Sequence, residues 1–215
     1  MANMTHRQRV LATLNHEEPD RVPRDLGQGS NTSINKLAYA KLVEHLGLQE
    51  QDADSAIDPF DQTASQSEAV LRRFDIDCRA LPVPRVGHQM LDENTYRDEW
   101  GTLLAKAEGG PFIYVEGPFQ RKEPTLAELD AHAWPDPRNP ARIEGLKETA
   151  IKLRQETDYA TVLNLPFSAL TTCQGMRGFA EFLEDLAVRP VLAEAILEHN
   201  LMVSIGIAEF LLDEV

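Results

Sequence analysis

Three stretches of the chain concentrate side chains that a polar ligand or a reacting group would use: 25–33, 82–89 and 164–174. The first reads Asp25-Leu26-Gly27-Gln28-Gly29-Ser30-Asn31-Thr32-Ser33. The second carries Arg85, His88 and Gln89, and the third Asn164, Ser168, Thr171, Thr172 and Gln174. Each follows a short apolar run that reads as a strand. In a parallel α/β fold the loops that leave the strands gather at one face, and sites form there. Arg79 lies inside the second run, so its charge must find a partner, either a ligand in a cleft or a carboxylate on a covering helix. Asn164 ends the third run, where its amide can hydrogen-bond a ligand or cap its own loop. Ser168 and Thr172 add hydroxyls to the same loop. These groups suit the recognition of a small polar molecule, and no catalytic residue is assigned.

Two other patterns invite a chemical reading. Gly27-Gln28-Gly29 lacks the third glycine of a dinucleotide fingerprint and the Gly-Lys-Ser/Thr of a P-loop, so it reads as a tight polar turn. The two cysteines, Cys78 and Cys173, are too few for a disulfide framework and read as buried reduced thiols. With His88 they are the donors from which a zinc site could be assembled in three dimensions. Trp100 and Trp134 read as packing residues with a ligand platform as the alternative. His6, His16 and His45 fall on surface helices or turns, and His132 and His199 have no partner nearby in sequence.

The elements that would position these groups follow from spacing. Thr5 and Gln8 make a Thr-x-x-Gln cap for a first helix from His6 to about Asn15, with Val10, Leu11 and Leu14 on one face. Val22 to Leu26 reads as a short first strand. A second helix carries Ile34, Leu37, Ala38, Leu42 and Leu46 and stops at Gly47. An irregular acidic stretch over 49–64 turns at Asp58-Pro59. A third helix, Ser67 to Phe74, then leads to a second strand over 76–83. Glu108-Gly109-Gly110-Pro111 between two apolar runs predicts a β-hairpin inserted over one end of the fold. Thr125-x-x-Glu128 opens a short helix. Asn139-Pro140 opens a long one to about Thr157, before a third strand from Tyr159 to Leu163. The loop from Asn164 to Gly178 precedes two closing helices, 179–188 and from Pro190 onward.

Alternation of this kind predicts an α/β fold with a parallel sheet. A complete (β/α)8 TIM-like barrel takes about 250 residues. Only three core strands fall within these 215, and Val215 ends an apolar helical pattern without a stop signal. The expectation is a single domain over 1–215 forming the N-terminal part of such a barrel; a self-sufficient three-stranded α/β domain is the alternative. A net charge of −14 leaves no basic surplus for nucleic acid. No apolar run is read as approaching the ~20 residues that span a bilayer, and no signal segment opens the chain, so a cytoplasmic protein without membrane contact is expected.

Four pieces, in order, carry a resemblance: Thr5-His6-Arg7-Gln8-Arg9-Val10-Leu11-Ala12-Thr13-Leu14 with Glu17-Glu18-Pro19-Asp20-Arg21-Val22-Pro23; Tyr96-x-Asp98-Glu99-Trp100-Gly101; Trp134-Pro135-Asp136-Pro137; and Gly178-Phe179-x-x-Phe182-Leu183 with Pro190 beyond. In these the chain resembles the uroporphyrinogen decarboxylase superfamily, which holds porphyrinogen decarboxylases and cobamide-dependent methyltransferases. The resemblance implies an α/β barrel with its cleft at the C-terminal strand ends, and it puts Gln28 at the place of a substrate contact. Decarboxylating members carry Arg-x-x-Gly-Arg after the first strand, an aspartate after the second and a tyrosine after the third. Here those places read Leu26-Gly27-Gln28-Gly29-Ser30-Asn31-Thr32, Leu81-Pro82-Val83-Pro84-Arg85 and Thr171-Thr172.

The departures turn the expectation to the methyl-transfer branch: a small methylated substrate, a cobamide and a corrinoid partner protein. Thiol-activating members bind zinc through His-x-Cys and a later Cys. This chain has no His-x-Cys, so zinc would come through residues beyond Val215. The alternatives are a decarboxylase of uroporphyrinogen or a related acid anchored by Arg24, Arg79 and Arg85, and an incomplete, non-catalytic protein whose open strand edges need a partner such as a second copy.

Overall fold

Thr5 accepts the Gln8 amide through its hydroxyl, and the Gln8 side chain accepts the Thr5 amide at 2.9 Å. This reciprocal cap starts α1 (His6–Leu14) where the spacing predicts it. The computed structural model describes residues 3–27, 32–48, 56–58, 62–108, 110–120, 123–165 and 168–215. They form two units, Met1–Val83 with Gly145–Asn164, and Pro84–Glu144 with Leu165–Val215. Unit 1 contains α1, α2 (Lys36–His45), β1 (Ala56–Asp58), β2 (Thr63–Ala64), α3 (Glu68–Arg73) and β3 (Cys78–Pro82). The chain re-enters it for α5 (Leu146–Glu156) and β8 (Ala160–Asn164). Unit 2 contains β4 (Gln89–Met90), β5 (Thr95–Arg97), β6 (Leu103–Lys106), β7 (Phe112–Glu116), α4 (Leu126–Asp130), α6 (Ala169–Arg177), α7 (Phe179–Val188) and α8 (Pro190–Glu214).

The face that α1 turns inward is polar, contrary to expectation. Arg9 and Ala12 are buried, while Leu11 and Leu14 are 51% and 70% exposed. The cause is Asp77, a fully buried carboxylate just before β3. It accepts hydrogen bonds from His6 Nδ1 at 2.8 Å, Arg9 Nη1 at 2.5 Å, Arg21 Nη1 at 2.7 Å, Arg21 Nη2 at 3.0 Å and the Arg24 amide at 2.7 Å. Arg9 also forks onto Asp20, with Nε and Nη2 at 2.6 and 2.9 Å from its two oxygens. His6 packs on the Tyr159 ring, 4.7 Å between centroids, and is therefore an interior group rather than a solvated one. Arg7 crosses the C-terminal end of α5, donating to the carbonyls of Leu153, Arg154, Thr157 and Tyr159, a cation at the negative end of a helix.

Behind this network β3 and β8 pair in parallel, Cys78 opposite Ala160 and Pro82 opposite Asn164, with α5 packed across both. This is a strand–helix–strand step closed by a crossover helix. The predicted first strand, 22–26, is not one. Its single described ladder contact is the Asp77 amide donating to Arg24 O at 2.9 Å, because the segment is held by the Asp77 carboxylate instead. A second core joins Tyr39, Val43, Ala64 and Val70 to Leu26, Ile34, Leu42 and Leu46. α2 buries Tyr39 and Val43 and leaves Leu37 exposed. Pro59 of the predicted turn lies outside the described residues.

In unit 2 the expected hairpin is β6–β7, and it belongs to a larger antiparallel sheet of order β4-β5-β6-β7. Gly109 of the predicted turn lies outside the described residues. The long helix predicted from Asn139 is broken: Pro140–Ile143 is a 3-10 turn, Gly145 takes φ 72°, and α5 starts afresh at Leu146. The break follows from Arg142, 1% exposed, which pairs with Glu99 and donates to Asp136 O. That one guanidinium links the Asp98-Glu99-Trp100 segment to the Trp134-Pro135-Asp136-Pro137 segment.

The stretch expected as a loop to Gly178 is helical from Ala169, capped by Ser168. At its end buried Arg177 donates to Asp185 Oδ2 at 2.7 Å and to Phe119 O at 3.0 Å. Gly117 lies so close to Met176 O that a Cβ there would overlap it. α8 corrects the reading of apolar runs: it is the one described helix long and apolar enough to cross a membrane. Its Leu192, Ile196, Ile207 and Leu211 face is buried, and the helix packs on α6 and α7.

The described fold is thus mixed α/β, with a small parallel sheet, an antiparallel sheet and no closed barrel among the described residues. Burial pushes the Asp77 pKa up, but the bonds from Arg21, the Arg24 amide, His6 and Arg9 outweigh it and hold it below the ordinary value. Asp20 is held well below by Arg9. Both contributions to stability are therefore complete above the unfolded value of about 4 and are lost as pH falls through the lower folded values. Urea unfolding should show stability dropping below about pH 4. Asp77→Ala, which strands Arg9 and Arg21, should cost about 3–5 kcal/mol at pH 7.

Candidate functional site

Strand alternation separates the side chains of the parallel sheet into two faces. Arg79 and Leu81 share one face with Thr161 and Leu163; Cys78, Ala80 and Pro82 share the other with Ala160, Val162 and Asn164. On the first face Arg79 and Leu81 are buried, Leu163 is half-buried and Thr161 is exposed. Arg79 Nε and Nη2 donate to the two oxygens of Glu68 on α3 at 2.9 and 3.0 Å, and Nη1 donates to the carbonyls of Ile76 and Cys78. Its guanidinium lies 3.5 Å from the centroid of the Tyr159 ring. Of the two roles open to Arg79, pairing with a helix carboxylate is the one in place.

The second face is partly open: Ala80, Val162 and Asn164 are half-buried and Pro82 is exposed. Asn164 sits at its C-terminal edge, opposite Pro82. Asp25, exposed at the end of the segment before Gly27, lies near enough for its charge to help raise the pKa of the Cys78 thiol. The Asp25 carboxyl is held above the ordinary value by loss of solvent, against hydrogen bonds from Thr32 and the Leu26 amide. The loop behind it closes through the Gly27 amide onto Thr32 O at 3.0 Å. Gly27 takes φ 76° beside Gln66, with no room for a Cβ. The tight-turn reading of this loop holds at Gly27, while Gln28 lies outside the described residues.

Asn164 and Arg79 therefore lie on opposite faces of the sheet. Ser168 and Thr172 belong to unit 2: Ser168 caps α6, accepting the Thr171 amide, and Thr172 lies within that helix, half-buried. Asp25 was inside the first polar loop but carried no motif of its own. The available signal was its place at the end of an extended Arg-Val-Pro-Arg run.

Among the described residues no group of three or more His, Cys, Asp or Glu side chains could hold a metal ion, so Cys78, His88 and Cys173 do not form the zinc site their donors allowed. Both cysteines are buried and free. Burial pushes Cys78 up to about 11, aided by Asp25 and Asp77, and Cys173 up to about 12. His88 packs on Tyr96 at 5.2 Å. Trp100, Phe119, His132, Trp134 and His199 of unit 2 pack on one another. Trp134 stacks on His199 at 4.8 Å and meets His132 edge-on at 5.0 Å, and Trp100 lies edge-on to Trp134 at 6.4 Å. His132 donates to Trp100 O at 3.2 Å, and its pKa is lowered by burial. His199 also approaches Asp130 at 3.4 Å, so these two histidines do have partners.

No protein-family model, curated protein or solved structure matches the chain. Thiols with pKa values near 11 and 12 present almost no thiolate at neutral pH. Ellman's reagent at pH 7.5 should therefore leave Cys78 and Cys173 unmodified in the native protein over minutes and titrate both after denaturation. Rapid reaction of either native thiol would contradict this burial.

Proposed function

We propose that this chain is the N-terminal part of an α/β barrel of the uroporphyrinogen decarboxylase superfamily and works in its methyl-transfer branch. It would move a methyl group from a small methylated substrate to a cobamide presented by a corrinoid partner protein. The parallel β3–β8 pair, with α5 packed against it and a partly open second face, suits one strand–helix–strand step of such a barrel. The observation that carries the choice of branch is the charge on that face. A polycarboxylate needs clustered cations, whereas the second face carries the neutral amide of Asn164 and feels the negative charge of Asp25 at Cys78, and Arg79 is engaged with Glu68 on the other face. Arg24, another anchor the decarboxylase reading requires, donates to Phe74 O at 3.1 Å.

In this reading the cobamide is the methyl acceptor, and no step runs through zinc, for which the described residues offer no ligand set. Asp25, when ionised, holds a cationic or hydrogen-bond-donating end of the methyl donor. Asn164 orients it through its amide. Because the Asp25 pKa is raised, protonation removes its charge at a higher pH than for an ordinary aspartate, so donor binding weakens on mild acidification.

The test is methyl transfer by the full-length protein to cob(I)alamin from a panel of methylated amines and methoxylated compounds, followed by the loss of cob(I)alamin absorbance. We expect transfer with at least one donor. Asp25→Asn should lower kcat/KM by about 10- to 100-fold and remove the acid limb of its pH profile, the scale of a lost charge-assisted hydrogen bond. Release of carbon dioxide from uroporphyrinogen, without transfer from any donor, would overturn the reading in favour of the decarboxylase.

A further inference from the structure

α8 is apolar nearly all round. Leu201, Met202, Ile205 and Leu212 are exposed at 50%, 62%, 48% and 71%, while Ile196, Val203, Ile207 and Leu211 are buried. A helix of that composition has little in its hydrophobicity to decide which face turns inward. Two polar residues stand in the middle of the buried face: Asn200, with no exposed surface, and Ser204, 3% exposed. They are four residues apart and so are neighbours on one side of the helix. Asn200 Oδ1, Asn200 Nδ2 and Ser204 Oγ are buried with no hydrogen-bond partner among the described residues. Buried polar atoms in native proteins are almost always satisfied, and three at one place call for a common partner.

The surroundings restrict what that partner can be. Neither side chain is charged, and Ile196, Val203 and Ile207 on the same face are apolar, so an ion would be desolvated there without compensation. The chain itself covers both residues, which leaves no path for contact with a macromolecule. The amide supplies one acceptor and two donors, and the hydroxyl supplies one donor and an acceptor. That is the complement of a single water molecule, which in protein interiors makes about three hydrogen bonds to otherwise unsatisfied groups.

We infer that Asn200 and Ser204 together bind an internal water molecule, and that this site fixes the rotational setting of α8. Leu201 and Ile205 are apolar and exposed, so apolar character alone does not decide which face is buried. Turning the helix to bury them would break up the water-linked polar pair.

Water–protein NOE and ROE spectra of the 15N-labelled protein test the site directly. A long-lived water should give cross-peaks of like sign, in the slow-tumbling sense, to the Asn200 side-chain amide protons. Ser204→Ala removes one partner of a bound water and should lower the folding equilibrium constant about tenfold and weaken those cross-peaks. If the hydroxyl is unpartnered, the same substitution removes a buried penalty and leaves folding unchanged or improved. Absence of the cross-peaks, or a Ser204→Ala protein at least as stable as the parent, would overturn the inference.

Discussion

Taking a carboxylate fully out of water costs several kcal/mol unless cations and donors replace the solvent, and Asp77 meets that condition only because three separate stretches of chain converge on it. α1 brings His6 and Arg9, the turn after it brings Arg21, and the extended segment beyond brings the Arg24 amide. Asp77 is also the residue whose own amide bonds Arg24 O and whose carbonyl accepts the Ala160 amide. The same residue thus ties the N-terminal segment to β3 and β3 to β8. Without it, α1 would have no reason to turn a polar face inward, and the segment bearing Asp25 would lose its place beside the sheet.

Unit 2 repeats the device with different residues. Arg142 and Arg177, both about 1% exposed, are joined to Glu99 and Asp185, and each also donates to a backbone carbonyl of a connecting segment. A large buried side chain with fixed donor directions specifies where its partners must lie more sharply than an apolar contact does. Arg142 thus ties the Glu99 carboxylate to the backbone carbonyl of Asp136, joining two segments that lie far apart in the sequence.

Local signals in the sequence were enough for the parts that local physics determines. The caps at Thr5 and Thr125, the β6–β7 hairpin, β3, β8, α7 and α8 all follow from residues within a few positions of one another. The misreadings share a different cause. Val22–Leu26 looks like a strand by composition but is held by a side chain. The helix predicted through Gly145 is interrupted where Arg142 must reach Glu99. The inward face of α1 was assigned to Leu11 and Leu14 when buried ion pairs had claimed the opposite side. For the candidate site, Asn164 was legible as the end of a strand, and the side of Arg79 was open until Glu68 was seen to bind it. Asp25 lies in the first polar stretch, but a single carboxylate has no periodicity or spacing to single it out within that stretch.

Arg24, the neighbour of Asp25, is held through its amide by the Asp77 carboxylate, which fixes the segment that carries the proposed site. Native-state hydrogen exchange resolved by residue is the most direct measurement of that attachment. The amides of Arg7, Arg24, Asp77 and Ala160, bonded to Asp158 O, the Asp77 carboxylate, Arg24 O and Asp77 O respectively, should open together with one free energy as a single cooperative unit. Fast exchange at Arg7 and Arg24, with Asp77 and Ala160 still protected, would show that the N-terminal segment is not locked to the sheet and would contradict the account.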